Sequence, residues 1–191
     1  MNDNSLNSIA KLISELRNFS EQISLLLKSS DYIFQKRNWA ILNSDITLDS
    51  SKLIDYPLKW FPEFFCRFYK NQDYANVQFY IAVILDNRNS NKSYDFGEPI
   101  ITCGYFWGLN NPEKVDLWRC RWHVYSDNKN YKGVICELDP MQKKWSSSES
   151  DFIHLKSLAL PLTEITSSNV LQKSIIEPLF DKLDQELKTS S

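Results

Sequence analysis

The chain has 191 residues, of which 42% are hydrophobic, 14% aromatic and 24% charged, with both signs mixed and a formal net charge of −2. That length supports one substantial core and a single domain, that composition excludes a disordered chain, and the near-neutral charge does not favour nucleic acid as a partner, because phosphate neutralisation needs clustered Lys and Arg. No apolar run approaches the ~20 residues that cross a bilayer, and the polar start "MNDNSLNSIAKLISEL" lacks the basic opening and apolar core of a signal peptide, so a cytoplasmic location is expected.

Over residues 1–29, Leu6, Ile9, Ile13, Leu16, Ile23 and Leu27 follow alternating spacings of three and four, with Ser20 filling the missing place and Leu12, Phe19 and Leu26 beside them. This pattern predicts one long amphipathic helix, with Asp3, Asn4 or Ser5 as its cap and "KSSD" as its close. Its apolar stripe is wider than a minimal coiled-coil seam, which fits a helix lying across a sheet or a helix pairing two copies into a homodimer. An aromatic stretch follows, in which Pro57 and Pro62 rule out a continuous helix. Within it "FFCRFY" alternates as a strand does when one side is buried.

"VQFYIAVILD" is apolar at both parities, the pattern of a central strand covered on both faces. "IITCGYFWG" reads as the next strand, where Gly104 implies a bulge or a close approach by another group. "VDLWRCRWHVY", "YKGVICEL" and "FIHLKSLALPL" complete the strand signals, and the short polar connections between successive runs predict an antiparallel meander. Over 167–188, Leu171, Ile175, Leu179, Leu183 and Leu187 recur every fourth residue, joined by Ile176 and Phe180. They predict a C-terminal helix that Pro178 must kink.

The densest run of chemically capable side chains is "LWRCRWHVY", residues 117–125. Its Cys-x-x-His spacing, together with Cys103 and Cys136, allows a four-ligand zinc site to be drawn, but strand parity sends Cys120 and His123 to opposite faces. The same parity assigns Trp118, Cys120 and Trp122 to the core and leaves Arg119, Arg121, His123 and Tyr125 on an outward strip. Arginine forks beside His and Tyr suit a carboxylate, a phosphate or a stacked base; the plainer reading is a solvated strand whose arginines pair with Glu137 or Asp116. Trp107, like Trp39, Trp60 and Trp145, either plugs a core edge or lines a groove.

The four cysteines form no Cys-x-x-Cys pair and sit among apolar neighbours, so they read as packed thiols, and no metal or cofactor is expected. Neither His123 nor His154 can be tied to a nucleophile, there is no phosphate-binding glycine loop, and the carboxylates Asp86, Glu98, Asp116, Glu137 and Asp139 show no clean nuclease spacing. The resulting expectation is an α+β fold: an antiparallel sheet of about five to six strands over 64–162, flanked by a long N-terminal helix and a kinked C-terminal helix. The expected function is a non-enzymatic interaction or regulatory domain of adaptor or immunity type. It would meet a protein partner through the strip of Arg119, Arg121, His123 and Tyr125 with Trp107, or through the N-terminal helix. The alternative is an enzyme or ligand-binding module for an anionic, nucleotide-like ligand, of which a metal-dependent nuclease would be one form.

Overall fold

The computed structural model describes residues 3–42, 47–48, 62, 64–85, 98–107, 132–138 and 154–189. The expected α+β architecture is present. Helix α1 (Asp3–Gln35) is followed by strands β1 (Ala40–Ile41), β2 (Thr47–Leu48), β3 (Phe64–Lys70), β4 (Val77–Ile84), β5 (Ile100–Trp107), β6 (Cys136–Leu138) and β7 (His154–Pro161). The chain closes with α2 (Ser168–Leu171), a π-helical turn (Gln172–Ile176) and α3 (Glu177–Thr189). Every pair among the described strands is antiparallel, in the order β1-β3-β4-β5-β7-β6, with β2 also pairing β3. Strand β7 enters between β5 and β6, so the last two strands are interchanged relative to chain order.

Both parities of the central strand are used. Phe79, Ile81 and Val83 of β4 join Tyr69, Ile101, Cys103, Tyr105, Leu158 and Leu160 in a core that also takes Ile23, Leu27, Ile33 and Phe34 of α1 and Leu171, Ile175, Leu179, Phe180 and Leu183 of the C-terminal segment. The two helical elements therefore cover one face of the sheet. On the other face, Phe64, Cys66, Phe68, Tyr80, Ile84, Ile100, Phe106 and Leu155 form a second buried cluster. Strand β3 is thus covered on both sides, where its sequence alternation pointed to one.

The first helix runs past its expected end at residue 29. "KSSD" does not stop it because the hydroxyls bond back along their own helix, Ser29 Oγ donating to the Leu25 carbonyl at 2.9 Å and Ser30 Oγ to that of Leu27 at 2.6 Å. Two further turns bury Ile33 and Phe34. The helix ends where Asn38 adopts a left-handed φ of 62°. There the Trp39 amide reaches the Phe34 carbonyl at 3.1 Å and the Asn38 amide that of Gln35 at 3.0 Å, a Schellman closure whose flanking pair, Trp39 and Phe34, is apolar.

At the other end of the chain, Ser167 caps α2 by accepting from the Val170 amide at 3.3 Å. Pro178 has no N–H for the preceding turn and its ring crowds the carbonyl four residues back. The helix absorbs this with its π turn, in which the Glu177 amide donates to the Gln172 carbonyl.

Gly104 answers one sequence question. The β4–β5 register runs without a bulge, Tyr80 opposite Gly104, and a Cβ there would lie 2.4 Å from the Lys156 carbonyl oxygen and 2.7 Å from the Tyr80 ring. The close approach is the tyrosine ring lying over the glycine. Two polar side chains on that same face, Gln78 and Thr102, are buried with no hydrogen-bond partner for their side-chain atoms among the described residues. Gly104→Ala should therefore destabilise the fold by about 2–3 kcal/mol in urea titration, since neither backbone nor ring can yield cheaply. Gln78→Met should stabilise it by about 1 kcal/mol, since a buried amide with no partner among the described residues is replaced by an apolar side chain of similar length.

Candidate interaction surface

The outward strip expected at Arg119, Arg121, His123 and Tyr125 lies outside the described residues, as do Trp60, Trp118, Trp122, Trp145 and Cys120. Trp107 is described: it ends β5 opposite Val77 and His154, partly buried against the core beneath the helices. Trp39 is fully in that core, edge-on to Phe79 at 4.7 Å between ring centroids. Trp39 is therefore a packing residue, and Trp107 packs part of its ring against the same core.

The polar chemistry that the structure does assemble is at the two sides of the sheet, under the helices. On β3, Arg67 donates to both carboxylate oxygens of Asp31 on α1, at 3.2 and 2.7 Å; Tyr69 Oη donates to the same carboxylate at 2.9 Å and lies 2.7 Å from Ser30 Oγ. On β7, Lys156 is bonded to Glu186 of α3 and lies 3.1 Å from Glu137 of β6, while Tyr105 Oη donates to Glu186 at 2.8 Å. The sequence held a signal for both clusters, a Lys or Arg inside a largely apolar run in "FFCRFY" and "HLKSLAL". Such a residue folds into a sheet only with its counter-charge supplied from elsewhere. In each cluster a cation of the sheet meets a carboxylate of a helix, and each pair ties one helix to the sheet.

Other candidate chemistry disperses. Glu98 is engaged by Lys132 at 3.3 Å and Glu137 by Lys156, so these two strand-end carboxylates serve separate cations. Among the described residues no group of three or more His, Cys, Asp or Glu side chains converges on a point that could hold a metal ion. Cys66 and Cys103 are free, fully buried thiols on opposite faces, and burial pushes both well above the ordinary thiol range, which makes them poor nucleophiles.

What the described surface offers is the first half of α1. Residues 7–18 are exposed on every side. The apolar stripe that the sequence drew as continuous divides at Ser20: Ile23 and Leu27 are 3% and 2% exposed, whereas Ile9, Leu12, Ile13 and Leu16 are 43%, 56%, 44% and 38% exposed. Ser20 itself bonds back to the Leu16 carbonyl at 3.0 Å. A shallow open groove of about 530 Å³ runs beside Ile13, Leu16, Arg17, Ser20 and Glu21. Isolated exposed leucines are ordinary, but four on one helical stripe form a contiguous patch of the kind that marks a docking surface. No described helix is long and apolar enough to cross a membrane.

The buried groups set an alkaline limit to the fold. Burial holds the Cys66 and Cys103 thiols above their ordinary 9.0 and the Tyr69 and Tyr105 phenols above their ordinary 10.0, so each keeps its proton when folded after the unfolded chain has lost it. Burial would lower Lys156, but the carboxylates of Glu186 and Glu137 outweigh it and raise the ammonium above 10.5, a change of the same sign. Stability from all five is complete below the ordinary values and is lost as pH rises through and beyond them. Unfolding free energy measured by urea titration should fall above pH ~9–10 by about 1.4 kcal/mol per pH unit for each ionising group. Replacing Tyr69 and Tyr105 by Phe should flatten that fall.

Compared with protein-family models, with curated proteins and with solved structures, this chain matches none.

Proposed function

We propose that this chain is a non-enzymatic protein-interaction domain, regulatory or adaptor-like in class, whose docking surface is the projecting half of α1. The reading is carried by the change in burial along a single stripe at Ser20: the same heptad-phased side chains that pack the domain's core after Ser20 stand in solvent before it. A helix end that were merely a tail would have no need of isoleucine and leucine at the positions in phase with the core. Apolar surface at that spacing is complementary to another helix, whose side chains interdigitate at the same repeat.

The segment is also well placed to dock. Its root is clasped through Asp31 and packed through Ile23 and Leu27, so the helix is held in direction before any partner arrives, which removes part of the ordering cost of association.

Native mass spectrometry of the protein purified gently from its own cells, alongside an Ile9→Asn, Leu12→Asn, Ile13→Asn variant, tests the proposal. The wild type should carry a protein chain in fixed stoichiometry and the variant should be bare, with equal helix content by circular dichroism. In the complex, amide hydrogen exchange over residues 7–18 should slow relative to the isolated variant. A wild type that carries no protein chain at any concentration up to about 1 mM, or a complex indifferent to the three substitutions, overturns it.

A further inference from the structure

We propose that the projecting half of α1 docks on the same segment of a second copy of this chain, antiparallel, about a two-fold axis at the level of Lys11. This rests on the interaction-domain reading and names its occupant. Along the helix the central seam of the stripe before Ser20 reads Leu6, Ile9, Ile13, Leu16, with spacings of three, four and three, and Leu12 lies beside it. That string is the same read in either direction, in spacing and in residue type. Turning a second copy end for end therefore sets Ile9 over Ile13 and brings helix position 6 to the level of position 16, and each pair recurs on the other side of the axis, as an isologous interface requires.

Three further observations agree with a second copy. The charged side chains of the exposed stretch, Lys11, Glu15, Arg17 and Glu21, cancel, so two copies do not repel; Lys11 and Glu15 already lie 3.9 Å apart on one helix. Ser20 closes the apolar seam one turn after Leu16, where the helix meets its own core at Ile23. The bulk of the domain then selects the direction. Paired helices lie ~8–10 Å apart, so a parallel pair would force the two sheets, each rooted from Ile23 onward, into the same space. An antiparallel pair places them at opposite ends.

The matched segment from Leu6 to Leu16 is only ~16 Å long, which buries less than the ~1,600 Å² of a standard interface, so the dimer is of the concentration-dependent kind. Sedimentation equilibrium between about 1 µM and about 1 mM should show the average mass rising from that of one chain towards twice that value. Ile9→Lys should weaken the dimer by at least about tenfold, because it sets a lysine against Ile13 of the second copy. Adding Ile13→Glu should restore most of the loss, since antiparallel pairing then opposes Lys with Glu on both sides of the axis, whereas parallel pairing would oppose like charges. All of these side chains are exposed, and circular dichroism should show the variants folded alike.

A double variant no tighter than the single one overturns the antiparallel register. A wild type that keeps the mass of one chain throughout overturns self-pairing; if the Ile9, Leu12 and Ile13 substitutions still remove a different protein from the native complex, the interaction-domain reading stands with another occupant, and if they remove nothing both fall.

Discussion

Phe79, at the middle of the helix-covered face of β4, is the side chain on which the layers of this protein meet. Its ring lies 4.7 Å from Trp39, 4.7 Å from Phe180, 5.3 Å from Tyr105 and 5.4 Å from Phe34. Those partners come from the segment closing α1, from α3, from the neighbouring strand and from α1 itself, so a single ring joins both helical elements to the centre of the sheet. Around it, Phe34 stacks on Tyr69 at 3.9 Å and nearly parallel, and the Arg37 guanidinium covers the outer face of Phe180 at 4.5 Å. Aromatic pairs add orientation to burial, because edge and face are electrically different. This cluster consequently fixes how the helices cross the sheet as well as the fact that they cover it.

The two charge clusters work at the margins of that packing. Arg67 with Asp31 fastens α1 over β3, and Lys156 with Glu186 fastens α3 over β7. Buried ion pairs contribute little net stability once desolvation is counted, but removing one partner leaves an uncompensated charge under a helix, which makes any other docking of that helix costly. Their effect is to select one placement for each helix. For α1 the consequence extends beyond the core, since a helix anchored through Asp31 and Leu27 carries its exposed first half as a continuous arm with a set direction.

The pattern-level features of the fold were legible because they follow from period alone. Phe79, Ile81 and Val83 against Tyr80, Ala82 and Ile84 announced a strand buried on both faces, and the fourfold spacing from Leu171 to Leu187 announced the last helix, with Pro178 as its irregularity. The end of α1 was misplaced because serine is a helix stop only when its hydroxyl caps; Ser29 and Ser30 bond to carbonyls of their own helix, an outcome that depends on Ile33 and Phe34 finding a core to fill. Gly104 was recognisable as a place of close approach, but Tyr80 could be named as the visitor only once the register was known. Arg67 and Lys156 were visible as cations in apolar runs; their partners are 36 and 30 residues away in sequence, on elements whose placement periodicity does not report. The strip of Arg119, Arg121, His123 and Tyr125 rests on strand parity alone.

The amino-acid sequence by itself determined the fold class, the helical and strand periods, the double-sided burial of β4 and the heptad-phased stripe of α1, because each is a repeat that the chain carries locally. It could not determine where along that stripe burial stops. Leu16 and Ile23 are equivalent by period and by hydrophobicity, and only the tertiary structure, through the finite width of the sheet beneath α1, sends one to solvent and the other to the core. The candidate surface therefore arises at the edge of the core, where a pattern written for packing continues after the domain's own packing partner has ended.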